Sequence, residues 1–237
     1  MLELKLLNKF IEMSPKITHI TEKDIEILAQ KLGKNQKEKI ALIHLLKQEP
    51  EKIDQILDFE SIKRYILEAP SPIPISAQLY FHYLGKLALG KRGLKNQELI
   101  SYITKLLMRF LKMDSFVPFS RLGSRRNFLR MSDLLLSLEK TADSMQAYQL
   151  HHFIADYSLF VCGLFKENIE RCWNGSPGME FYEGLGMRSY ALAASYPEAQ
   201  KNSLQGIFSF LSSAFKEVRF ALNEIQEQFF HFSDISP

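Results

Sequence analysis

The sequence predicts an all-α protein: a multi-helix bundle with a long C-terminal helix and an N-terminal helical subdomain. Three observations predict it. Almost every apolar segment repeats at the helical spacing of three and four residues rather than by strand-like alternation. Glycine is scarce, 11 residues in 237, which suits long helices, while the 18 phenylalanines supply bulk for a core. No Asn-Gly hairpin signal lies between alternating apolar runs.

The elements follow in order. The first residues, MLELKLLNKFIEM, mix charge with Leu and Ile throughout and read as an amphipathic helix rather than a secretory leader. Thr21 is a helix N-cap with Asp24 three residues on, ahead of Ile25, Leu28 and Leu32, and Gly33 closes that helix. A second helix over 36–48 points Ile40, Ile43, Leu45 and Leu46 inward. Pro50 opens a third with Ile53, Ile56 and Leu57, and a short fourth carries Ile62, Tyr65, Ile66 and Leu67.

Pro70, Pro72 and Pro74 then stop helix formation and favour an extended connector. The organisation expected is therefore a helical subdomain over 1–69 and a main bundle over 75–237. The smaller part is marginal as a free-standing domain and is expected to pack on the rest.

Beyond the prolines, helices are predicted near 76–89 and 96–112. The second is strongly amphipathic, with Leu99, Ile103, Leu106 and Phe110 on one stripe and Lys105, Arg109 and Lys112 on another face. A loop spans 114–126, and helices resume at 127–141, 143–165 and 180–195. The final helix begins at Pro197. Its stripe runs Leu204, Phe208, Leu211, Phe215, Val218, Leu222, Ile225, Phe229 and Phe232, with steps alternating four and three. Ile207, Ala214 and Ala221 widen the stripe, as in a bundle helix facing its own core rather than a dimeric zipper. Phe210, Phe220 and Phe230 lie off it, which predicts a helix buried on more than one side: central in the bundle, or covered by a second subunit in a homodimer.

Composition excludes several function classes. With 46% hydrophobic and 24% charged residues, this is a globular rather than a disordered chain. Two cysteines, Cys162 and Cys172, make no disulfide framework, and no CxxC or HxxxH spacing offers a structural zinc site. No run of 18 apolar residues offers a membrane span. The expected compartment is the cytoplasm, with both thiols reduced.

Most chemical motifs fail. Gly85–Arg92 imitates a phosphate-binding GxxxxGK, but Arg92 stands where Ser or Thr would hold magnesium, and the preceding stretch is helical where a P-loop follows a strand. No histidine has a glutamate three residues before it, so the di-iron pattern of helical bundles is missing and no metal ligands are assigned. No motif implies a cofactor; a haem-like or apolar ligand would need only one axial histidine or none. The cluster worth weighing is His151-His152-Phe153-Ile154-Ala155-Asp156. His152 and Asp156 are four apart on one helix face, and a carboxylate there would orient the imidazole and raise its pKa, as in a general base. The plainer expectation is a polar pair at the core edge. Glu183, with Tyr182 and Tyr190, is a second such candidate.

Charge distribution says more than the total of +3. Residues 1–70 are neutral overall, 71–130 carry +9 and 131–237 carry −6. Lys105, Arg109, Lys112, Arg121, Arg125, Arg126 and Arg130 are thus the candidate binding residues, and the aromatic, arginine-rich stretch 116–126 is the tip of a positive patch. These features favour a non-enzymatic binding or interaction protein taking an acidic partner, which includes the acidic end of a second copy. Two alternatives stand beside it. One is a helical-bundle enzyme or small-ligand carrier with a pocket near His152 and Asp156. The other is binding of nucleic acid or another polyanion through the basic region.

Overall fold

The computed structural model describes residues 20–68, 75–112, 131–171 and 177–229. Every regular element among them is an α-helix, and the protein is an all-α multi-helix bundle. The proline segment 70–74, the N-terminal segment 1–13 and the loop 114–126 fall outside the described residues. Two compact units are present, one over 17–84 and one holding 85–237, and the division falls between Leu84 and Gly85, inside a helix.

The smaller unit contains α1 (Glu22–Leu32), α2 (Gln36–Gln48), α3 (Lys52–Ile56), α4 (Glu60–Leu67) and the first half of α5 (Ala77–Lys91). Its first helix starts as the sequence predicts. The Thr21 hydroxyl accepts from the Asp24 N–H at 3.1 Å, and Asp24 accepts from the Thr21 N–H at 3.1 Å, a reciprocal capping box. The same carboxylate also accepts from the Ser76 N–H at 2.7 Å and the Ser76 hydroxyl at 2.6 Å. One fully buried carboxyl group thereby ties the start of α1 to the start of α5. Leu28, Leu46, Leu57, Ile62 and Leu79 are buried to completion in this unit. His82, buried on α5, meets Asp54 at 2.8 Å.

One expectation fails in this unit. Of the four residues predicted to face inward on α2, only Leu46 is buried, and Ile40 is 59% exposed. Among the described helices α2 packs chiefly on α1, so a single narrow stripe can be covered and the flanking apolar positions stay at the surface.

The larger unit contains the second half of α5, then α6 (Gln97–Lys112), α7 (Met131–Lys140), α8 (Ser144–Leu164), α9 (Lys166–Arg171), α10 (Met179–Ser195), α11 (Pro197–Lys201), α12 (Gln205–Ser213) and α13 (Phe215–Phe229). Asp143 caps α8, accepting from the N–H groups of Met145 and Gln146 at 2.8 and 3.2 Å. From Leu150 to Leu164 every residue of α8 is buried, so this is the central helix of the unit. α10 and α13 pack along it.

Two glycines make that packing close. A Cβ on Gly163 would lie 2.6 Å from Leu222 Cβ, and one on Gly186 would lie 2.6 Å from Phe215 Cζ and 3.0 Å from Ser158 Cβ. α13 can therefore approach α8, and α10 can approach both, only without side chains at these points. Gly186→Ala is expected to destabilise the fold by about 1–3 kcal/mol, the usual cost of overpacking a filled core. Urea denaturation checks it; an unchanged midpoint would show that the contact can relax.

The C-terminal region departs from the single long helix expected. It comprises α11, α12 and α13. α11 begins at Pro197 as predicted but ends in a Schellman turn, with Leu204 N–H donating to Ala199 O at 2.8 Å and Ser203 N–H to Gln200 O at 3.0 Å. Ser203 takes the left-handed conformation there, φ 57°. A second interruption falls at Ala214, whose N–H still donates to Phe210 O at 2.8 Å. The predicted stripe survives both: Phe208, Leu211, Phe215, Val218, Leu222 and Ile225 are all buried. Phe210 and Phe220 are not, at 37% and 43% exposed, so α12 and α13 are one-sided helices. The helix buried on every side is α8. Phe230 and Phe232 lie outside the described residues.

Candidate functional site

The most concentrated polar chemistry lies around Asp156, in the middle of α8 and completely buried. The helical spacing brings His152 to it one turn earlier, as predicted: His152 Nε2 is 3.3 Å from Asp156 Oδ2. Three further side chains complete the site. Tyr102 and Arg109, seven apart on one face of α6, both reach the carboxylate, and Tyr190 reaches it from α10. Arg109 Nη1 is 3.1 Å from Oδ2. The Tyr190 hydroxyl donates to Oδ1 at 2.7 Å, and the Tyr102 hydroxyl donates to the same oxygen. Phe208 of α12 closes the cluster, with its ring centroid 4.8 Å from that of His152, 5.7 Å from Tyr190 and 6.0 Å from Tyr102.

The electrostatics follow from this enclosure. Burial alone would push the Asp156 carboxyl up. The positive charge at His152 and Arg109 and the hydrogen bonds from His152 and Tyr102 outweigh it and hold the group below its ordinary value. The hydroxyls of Tyr102 and Tyr190 are pushed far above their ordinary value, first by burial and then by the adjacent carboxylate. Asp156 is thus an anion and both tyrosines are neutral donors.

The hydrogen bonds also place a proton on His152 Nε2. Tyr102 has one hydroxyl proton, directed at Asp156, yet its oxygen lies 3.1 Å from His152 Nε2. That contact is a hydrogen bond only when Nε2 carries the proton and donates. His152 Nε2 therefore carries a proton and donates it to Tyr102, while Asp156 Oδ1 accepts from two tyrosine hydroxyls and Oδ2 lies against the Arg109 guanidinium and the His152 ring.

The structure moves Arg109 out of the group of binding residues. Predicted on a cationic face separate from the apolar stripe, it is 5% exposed and paired with Asp156. The reason is angular: Arg109 shares a face with Leu106 and Tyr102, both buried, and this face meets α8. Lys105 is half-buried, its ammonium pKa lowered by burial and then by the nearby Arg109 charge. The side chain of Lys112, and Arg121, Arg125, Arg126 and Arg130, lie outside the described residues.

Glu183 belongs to a separate structural clamp, and Tyr190, read beside it in the sequence, belongs to Asp156. Glu183 Oε1 lies 2.7 Å from Arg219 Nε, and Arg219 Nη1 donates to Asn223 Oδ1 at 2.9 Å. Asn223 Nδ2 in turn donates to the carbonyls of Cys162 and Gly163 at 2.9 and 2.7 Å. These are among the last carbonyls of α8, which have no intrahelical partner, so α13 caps α8. The Cys162 thiol is buried and pushed up to about 12, chiefly by burial and then by Glu183, which leaves it an unreactive core residue.

Residues 85–91 of the phosphate-loop imitation are helical, part of α5, and Arg92 pairs with Glu224. Among the described residues no three His, Cys, Asp or Glu converge on a metal position, and no helix is long and apolar enough to cross a membrane. Comparison of the chain with family models, curated proteins and solved structures returned no match.

Proposed function

We propose that this is a non-enzymatic interaction protein of the cytoplasm that takes an acidic protein partner on its basic central region. The observation that carries the reading is the charge of that region, +9 over residues 71–130 between a neutral and an acidic segment. Among its described cations, Arg109 pairs with Asp156 and Arg92 with Glu224. Lys91 and Lys95 are exposed at the end of α5 and the turn that follows it. Arg121, Arg125 and Arg126 stand in a stretch with two phenylalanines, a composition suited to forked contacts with carboxylates.

The Asp156 network supports a non-enzymatic reading. A general base needs a lone pair directed at a substrate proton. Here both carboxylate oxygens face side chains of the protein itself, and Phe208 covers the imidazole. The cluster serves to hold α6, α8 and α10 in register.

The test uses the full chain against polyglutamate and against single- and double-stranded nucleic acid, at about 50 and about 300 mM salt, conditions that differ in screening. Polyglutamate is expected to bind at low salt, more weakly at high salt, and at least about 10-fold more weakly to Arg121→Glu/Arg125→Glu/Arg126→Glu, through lost charge complementarity. No binding at low salt, or binding indifferent to the triple reversal, would overturn the reading. Tighter binding of nucleic acid than of polyglutamate would overturn it in favour of the polyanion alternative.

A further inference from the structure

Beside the Asp156 network sits a second buried histidine with different surroundings. His151, on α8, is 9% exposed, and its Nδ1 is enclosed without a hydrogen-bond partner. Its ring lies against Tyr196, at the junction of α10 and α11, with centroids 6.1 Å apart. Tyr196 also packs on Tyr148 at 6.0 Å, and Tyr148 on Phe208 at 6.5 Å, the ring that packs against His152, Tyr102 and Tyr190. His151 is thus the first member of a chain of ring contacts leading to the network.

The charged and titratable groups around it come from several helices. α10 brings Arg188 and Tyr190, and α11 brings Glu198, whose charge acts on Tyr148. α7, packed on α8, carries Asp133, Glu139 and Lys140. Its own helix adds Tyr148, His152 and Asp156. The charge acting directly on His151 is that of Arg188, a cation.

We infer that His151 is an acid-operated latch: protonation at Nδ1 loosens the Tyr196 corner and, through Tyr148 and Phe208, uncovers the Asp156 network. The chemistry is one of supply and demand for hydrogen bonds. Neutral His151 needs nothing at Nδ1. The imidazolium places a buried N–H there with no acceptor, near a second positive charge, and both effects favour conformations in which the ring reaches water.

The sign of the pH dependence follows. Burial first, and Arg188 second, hold His151 below the ordinary imidazole value in the folded protein. The unfolded chain therefore binds the proton more readily. The stabilisation is fully present above the unfolded value near 6.5 and is lost as pH falls below it toward the folded value.

The experiment is thermal unfolding of the full chain between about pH 7.5 and about pH 5.5, a range in which histidine titrates, for wild type, His151→Gln and His151→Phe. Wild-type Tm is expected to fall over this range by at least about 2–4 °C more than that of either variant. An equal fall in wild type and both variants would overturn the proposal. Should neither variant fold, histidine ring titration of the wild type by NMR decides. A His151 resonance titrating below the ordinary imidazole range is the expected result, and one titrating at or above it would overturn the latch.

Discussion

Arg109→Met lowers the stability of the unit containing residues 85–237 by about 3–5 kcal/mol, the range found when one partner of a buried ion pair is removed. Methionine keeps most of the length and apolar contact of the arginine stem, so the loss reports the charge rather than the volume. Asp156 would keep its two tyrosine donors but lose the guanidinium 3.1 Å from Oδ2. His152 Nε2 would remain 3.3 Å from that oxygen. Urea denaturation followed by circular dichroism measures the loss. Lys95→Met offers the control, because Lys95 is exposed and changing an exposed side chain alters stability by no more than about 0.5 kcal/mol. Equal midpoints for the two variants would return Arg109 to the surface, where its place among the basic residues first put it.

Phe208→Ala is the second large effect, again about 3–5 kcal/mol, from lost transfer free energy and the cavity left behind. Phe208 is fully buried, and its ring touches four others: Tyr102, Tyr148, His152 and Tyr190. The cavity would open on the polar network, so water can enter, and the upward shifts of the Tyr102 and Tyr190 hydroxyls should relax toward ordinary values. Ultraviolet titration of the tyrosines reads that change directly. Phe210→Ala, two residues away and 37% exposed, is expected to cost less than about 1 kcal/mol. A Phe210 loss equal to that of Phe208 would mean that the stripe on α12 faces another direction.

Much of this structure is legible in local spacing, and its limits are physical. The pair of His152 and Asp156 can be read because residues four apart on a helix must share a face. The Thr21–Asp24 box can be read because its geometry is complete within four residues. The other members of the Asp156 site cannot. Tyr102 and Tyr190 stand 54 and 34 residues from Asp156 in the chain, and nothing local marks either as its donor. Arg109 reads as one of a run of cations because periodicity on α6 identifies the apolar stripe, not what an arginine at its margin will meet.

The breaks in the C-terminal region were hidden for a different reason. A residue in the left-handed region is usually glycine or asparagine, and Ser203 is neither. Asn202 stands beside it as the C-cap with φ −91°. At Ala214 the heptad pattern continues unbroken while the helix itself is interrupted, because the buried face is kept across the break. From Phe208 to Ile225 the stripe identifies the buried side chains but overestimates the continuity of the backbone beneath them. Off the stripe, Phe210 and Phe220 are exposed, so within the chain they form no second buried face, and Phe220 lies under the Arg219 guanidinium at 4.0 Å.

A double-mutant cycle between Arg109→Met and Asp156→Asn tests most directly whether these two side chains form the buried lock of the bundle. Each single change leaves one charge without its counterpart, whereas the double variant leaves neither. The double variant is expected to lose less stability than the sum of the two, with a coupling of about 1.5–3 kcal/mol, as for contacting residues in one network. Losses that add to within about 0.5 kcal/mol would show that the two groups do not meet, and would contradict the ion pair on which this site is built.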